Sequence, residues 1–228
     1  AVRGELFATL SGDDVDIRRV ADGKPVRSAT SGRAWLDSQG LEELRFALPL
    51  SDAEILVVGH KPRSVLSYPK TTIARIDLSG GNWRQVASED ASHAIHDIDV
   101  VESDGSAIYL AGKIVAMRSR AKMTPDQALE VLRYDVGRRE LRTLVDDDRL
   151  ATKTQVLDLA VGQDLIALIL DGGVLAAYRV HEDRRTSSRV LHDTEHPLPV
   201  GARLGWASAS SIVVIRGDAL GIELREIR

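Results

Sequence analysis

The sequence predicts an all-β fold made of repeated four-stranded antiparallel units, and three observations predict it. Short runs rich in Val, Ile, Leu and Thr are separated by Gly or Pro about every ten residues. Apolar anchors at Ile55, Ile108, Leu165 and Ile212 recur about 50 residues apart, the length of a four-strand repeat. Long segments of helical periodicity are missing.

Composition narrows the class. The chain has 228 residues, 43% of them hydrophobic and 28% charged, with a formal net charge of −4. That is the balance of a globular protein with room for a sizeable core. Mild acidity argues against a general nucleic-acid binder, which carries a basic excess. No apolar run reaches the roughly 20 residues of a membrane-spanning helix, so no membrane insertion is expected. The absence of cysteine excludes disulfides and thiolate chemistry. The chain opens Ala1-Val2-Arg3-Gly4 without a signal-peptide pattern. A mature exported protein, methionine removal and a piece of a longer chain all fit.

The elements follow in order. Val15 to Val20, the turn Asp22-Gly23 and Pro25 to Ser28 give the first 40 residues about three strands. Residues 41–88, 94–146 and 155–192 each read as a complete meander of strands A, B, C and D. In each, an apolar stretch and a small or acidic turn precede the buried run. Hairpins are expected at Gly80-Gly81, Gly137-Arg138 and Glu182-Asp183, where Gly and Asp favour tight turns. Residues 200–228 supply A, B and C without D. One helix is signalled, at Thr124-Pro125-Asp126-Gln127, a capping Thr with Pro at the first helical position and Gln three residues after the cap. It must be short, because residues 131–136 alternate like a strand.

Meanders of this length are the mark of β-propeller blades, about five here with incomplete terminal ones, in a single domain over 1–228. A two-sheet β-sandwich is the alternative use of the same strands. Ser103-Asp104-Gly105-Ser106-Ala107-Ile108-Tyr109-Leu110 resembles the Ser-Pro-Asp-Gly blade motif of TolB-type, WD40-like propellers, without its proline. No Trp-Asp dipeptide closes a strand C. The resemblance implies a binding scaffold, or the gating domain of a larger enzyme, and assigns no catalytic residue.

In a meander the B–C and D–A connections share one face. The longest insertions, Gly59 to Thr71 and Met117 to Gln127, both join B to C. Long loops on a rigid scaffold are where binding sits. The first candidates for contacts with a protein or peptide partner are therefore Tyr68, His60, Arg118, Arg120 and Lys122.

The competing reading is a metal-dependent hydrolase or lyase. Its divalent ion would be held by His93, His96, His192 and His196, since imidazole with carboxylate suits zinc, iron or manganese. Against it, Pro197 and Pro199 remove the helical geometry that would align His192 with His196. No cofactor is expected on the binding reading. Asp146-Asp147-Asp148 reads as a solvated acidic turn without calcium-loop spacing. The sequence holds no nucleophile elbow, phosphate loop or dinucleotide fingerprint. A third reading is a structural subunit, homo- or hetero-oligomeric, with terminal blades completed by a partner chain.

Overall fold

The structure is a computed structural model. It describes all residues except 31, 63, 65–66, 93–94, 96, 117–125, 148–154, 163, 182–186, 208–210, 216–220 and 227–228. Among the described residues there are five separate antiparallel sheets, four of four strands and one of three, each running in chain order. Five sheets exclude the two-sheet sandwich. The chain divides into two compact units, residues 1–98 with 103–107, and residues 99–102 with 108–228.

The first unit holds two complete sheets. One comprises β1 (Val2–Arg3), β2 (Leu6–Ser11), β3 (Asp14–Arg19) and β4 (Pro25–Ala29). It has one strand more than the sequence pattern suggested. The extra strand, β1, is two residues long, too short to leave an alternating signal. The other comprises β5 (Glu43–Pro49), β6 (Glu54–Lys61), β7 (Lys70–Asp77) and β8 (Arg84–Asp90).

Between the two sheets lies a helix that the sequence reading missed, α1 (Gly32–Gln39). Its end is written in the sequence. Gly40 takes φ 66°, the Leu41 N–H reaches the Leu36 carbonyl at 2.9 Å, and the Gly40 N–H reaches that of Asp37 at 3.1 Å. This paired closure is a Schellman cap. At its start a Cβ on Gly32 would lie 1.9 Å from the Asp13 carbonyl oxygen, so only glycine fits. Trp35 and Leu36 drive the helix into a core with Val15, Ile17, Ile55, Val57 and Ile76. Trp35 stacks on Trp83 at 5.8 Å and donates to Gln85 Oε1 at 2.9 Å.

The remaining strands are β9 (Asp97–Ser103), β10 (Ala107–Ala116), β11 (Asp126–Asp135) and β12 (Glu140–Asp147), then β13 (Val156–Val161), β14 (Leu165–Leu170), β15 (Val174–Val180) and β16 (Ser187–Asp193), then β17 (Arg203–Ala207), β18 (Ser211–Ile215) and β19 (Ile222–Glu226). The expected short helix is absent where it can be seen. Asp126 and Gln127 open β11, and the cap residues 124 and 125 lie outside the described residues. The ten-residue pairing potential of the strand outweighs the local capping signal.

β14 shows how the second unit is made. All six of its residues are buried, so both faces are covered and the run Leu-Ile-Ala-Leu-Ile-Leu has no polar alternation. Its core gathers Leu165, Ala167, Ile169, Leu175, Leu198, Ile212 and Val214.

Carboxylates tie sheet to sheet within this unit. Asp99, third in β9, accepts the Val156 N–H at 2.9 Å. Asp158, third in β13, accepts the Leu204 N–H at 2.6 Å. Asp147 is buried in β12, 3% exposed. It accepts from Tyr178 Oη at 3.1 Å and pairs with Arg189 at 3.4 Å. The solvated acidic turn expected at 146–148 is thus, at Asp147, a buried strut between sheets.

Turn chemistry follows the sequence at Gly23, Gly81 and Gly105, all at positive φ. The β11–β12 turn differs. Its left-handed residue is Arg139 at φ 57°, because Asp135 closes the turn, its carboxylate taking the Arg138 N–H and its carbonyl that of Arg139.

Candidate functional site

Antiparallel order puts three connections at one end of the β5–β8 sheet: α1 with its exit, residues 62–69 between β6 and β7, and the segment after β8. The loop is shorter than the Gly59–Thr71 insertion read from sequence. β6 runs on to Lys61 and β7 resumes at Lys70.

The loop has a fixed foot. His60 and Thr71 are cross-strand partners, 1% and 0% exposed, with His60 Nδ1 3.0 Å from Thr71 Oγ1. The Thr71 N–H donates to Ser92 Oγ at 3.0 Å, and its carbonyl takes the Ala91 N–H at 2.9 Å. Ser92 donates in turn to Asp90 through its N–H and hydroxyl. Lys70 Nζ donates to the Gln39 carbonyl at the end of α1, and the Glu42 N–H donates to the His60 carbonyl at 2.9 Å. Gly59 allows this close approach, since a Cβ there would lie 2.6 Å from Leu41 Cδ1. Every strand end at this rim is therefore bonded to a neighbour.

Electrostatics match the burial. Burial pushes the His60 imidazole down to about 4, reinforced by the Arg45 charge and partly opposed by Asp97. His60 is neutral at ordinary pH.

The loop itself is narrow. Ser64 and Ser67 bridge across it, with their hydroxyl oxygens 2.7 Å apart. Next to this clasp stands Tyr68, 93% exposed. A fully exposed aromatic on a loop with a rigid foot has the composition of a binding hot spot.

The residues singled out from sequence are placed unequally. Tyr68 lies in the loop and His60 in the strand at its foot, and only Tyr68 offers its side chain. His60 is interior, and its part in any contact is to hold the loop. Arg118, Arg120, Lys122, His93 and His96 lie outside the described residues. His192 is the last but one residue of β16, opposite Ala176, and is exposed, as is His196. Between them Asp193 is already committed. One oxygen accepts the N–H groups of Glu195 and His196, and the other pairs with Arg225 at 3.0 Å. The His196 N–H above all holds the Asp193 carboxyl below the usual carboxylate range. Among the described residues no three His, Asp or Glu side chains come together to hold a metal ion. Nor does any described helix reach the length and apolarity needed to cross a membrane.

Sequence reasoning missed Thr71, Ser92 and Asp90. The signal for Asp90 and Ser92 was the Asp90-Ala91-Ser92 step at the end of a strand, an Asx-turn pattern.

No family model matches the chain, and no curated protein matches it in sequence. Solved structures do. The Cps50 (Swd1) β-propeller domain of Myceliophteria thermophila is 10% identical, with a TM-score of 0.50 over 99% of this chain and 81% of that one. Kluyveromyces lactis Hsv2 is 12% identical, with a TM-score of 0.44 over 100% of this chain and 83% of that one. The likeness to the Cps50 domain agrees with the five meander sheets. The fold is a β-propeller.

Proposed function

We propose that this β-propeller is a non-catalytic binding module that takes a protein or peptide partner on the loop face carrying Tyr68. The observation that carries the reading is the contrast at one loop: a 93% exposed tyrosine beside a foot whose His60 and Thr71 are at most 1% exposed. A rigid foot lowers the ordering cost of binding, and an exposed aromatic supplies area with little entropy to lose. Arg118, Arg120 and Lys122 lie outside the described residues and are proposed, from the sequence pattern alone, as cationic contacts on the other long B–C connection. The mechanism is surface complementarity, with no covalent step and no cofactor.

The test compares affinity capture by the native chain and by Tyr68→Ala from extracts of the source organism, read by quantitative mass spectrometry. At least one protein should be retained by the native chain and depleted about tenfold or more by the variant, the size of a truncated aromatic hot spot. Thermal unfolding of the variant should match the native chain, because the side chain is exposed. Identical retained sets would end the proposal.

A further inference from the structure

We infer that the cleft at the turn end of the first two sheets binds a small zwitterion, a free amino acid or short peptide that carries an ammonium and a carboxylate on an apolar body. The cleft has a volume of about 760 Å³ and is lined by the β1–β2 turn, the end of β3 and Asp52 in the β5–β6 turn. That is the size of an ordinary ligand pocket. All of its walls belong to one compact unit, and they are hairpin turns inside the chain. β1 leads away from them toward Ala1, whose carbonyl takes the Ala8 N–H at 2.8 Å.

Strand register sets the two cations of the cleft. Arg3 pairs with Leu6 across β1 and β2, and Leu6 pairs with Arg19 across β2 and β3. Directly opposed residues share a face. The two arginines therefore flank Leu6, with Cα atoms about 10 Å apart, two strand spacings. The same face carries Ala8 into the core shared with the β5–β8 sheet, the sheet that supplies Asp52. Arg27 fixes that turn, donating to the Asp52 carbonyl at 2.9 Å and to the Leu78 carbonyl at 3.1 Å. Glu5 enters from the β1–β2 turn, its carbonyl held by the Val20 N–H at 2.8 Å.

The charges define the ligand. Elsewhere in this unit Arg18 pairs with Asp16, Arg33 with Asp37 and Arg75 with Glu54. Among the described residues the side chains of Arg3, Arg19, Glu5 and Asp52 enter no ion pair or hydrogen bond. Two positive and two negative groups thus line one volume without neutralising each other. An anion alone would meet the two carboxylates, and a cation alone the two guanidiniums. A zwitterion satisfies both signs, and its apolar body covers the half-buried Leu6 between the arginines. The guanidinium forks donate to its carboxylate two N–H groups at a time, and Glu5 or Asp52 accepts from its ammonium.

Isothermal titration calorimetry of the full chain with leucine and with leucyl-leucine tests this. At least one probe should bind with a dissociation constant below about 1 mM, and the tighter of the two tells a free amino acid from a peptide. N-acetylation removes the ammonium and amidation removes the carboxylate, and each should weaken that probe at least about tenfold. Arg19→Gln and Asp52→Asn, at exposed positions, should do the same to the unmodified probe while leaving thermal unfolding unaltered. Two probes that both fail to saturate below about 1 mM, an acetylated probe that binds like its parent, or binding that Arg19→Gln leaves unchanged overturns the proposal. Tyr68→Ala should leave the titration as it is, because Asp52 and Tyr68 lie beyond opposite ends of β6, so the readout is independent of the partner face.

Discussion

His60 concentrates the physics of the candidate site in one side chain. Its folded pKa of about 4 lies below the unfolded value of about 6.5. The folded state therefore binds fewer protons than the unfolded one in that interval. The contribution is fully present above pH 6.5 and is lost as pH falls toward 4. About 2 kcal/mol should disappear between pH 7 and pH 5. Urea melts across that range should show the loss in the native chain and its absence in His60→Asn. Equal pH slopes would show that the ring does not report the foot of the loop. The residue also shows the limit of sequence reading. A histidine next to Lys61 in a polar stretch reads as a loop donor. Only the pairing of β6 with β7 reveals that its side chain points inward.

At the level of elements, the joints between sheets are the informative parts. Asp158 is 8% exposed, and its carboxylate takes the Leu204 N–H from β17. Asp158→Ala leaves that donor without its partner, at a cost of about 1–3 kcal/mol. Chemical denaturation of the variant should show a lowered midpoint with an unchanged slope. A midpoint equal to that of the native chain would mean the joint carries no stability. Elements were legible from sequence wherever local pattern and tertiary role agreed. The runs around Ile55, Ile108, Leu165 and Ile212 became central strands, and those at Ile55 and Leu165 are buried on both faces, which needs continuous apolar residues. Gly23, Gly81 and Gly105 took the positive φ that their turns require. Elements were misread where tertiary context decided. α1 is eight residues long, with too few turns for its Trp35-Leu36 face to stand out as periodic. The capping pattern at 124–127 lost Asp126 and Gln127 to β11, a central strand held between β10 and β12.

For the whole molecule, charge is dispersed rather than concentrated. The excess is only −4 among 64 charged side chains. Many described ion pairs join residues close in sequence, such as Arg33 with Asp37 and Arg18 with Asp16. Exposed pairs of this kind contribute little and are screened by salt. Raising sodium chloride from about 0.05 to about 0.5 M should change the unfolding free energy by less than about 1 kcal/mol. A larger drop would show that ion pairs, rather than the apolar cores, dominate stability. The candidate site was half legible at this scale. Meander order told which connections share a face, and exposure then separated Tyr68 from His60. The cationic trio and two of the four histidines fall outside the described residues, so their part rests on that order alone.

The two carboxylates at the third positions of β9 and β13 also bear on how the protein is made. Each belongs to the sheet that leaves the ribosome first, and each accepts an N–H from the first strand of the sheet that follows. A newly finished sheet thus already displays the acceptor its successor needs. Synthesis from the N-terminus supplies the parts of this unit in the order in which they can dock, so assembly can keep pace with translation.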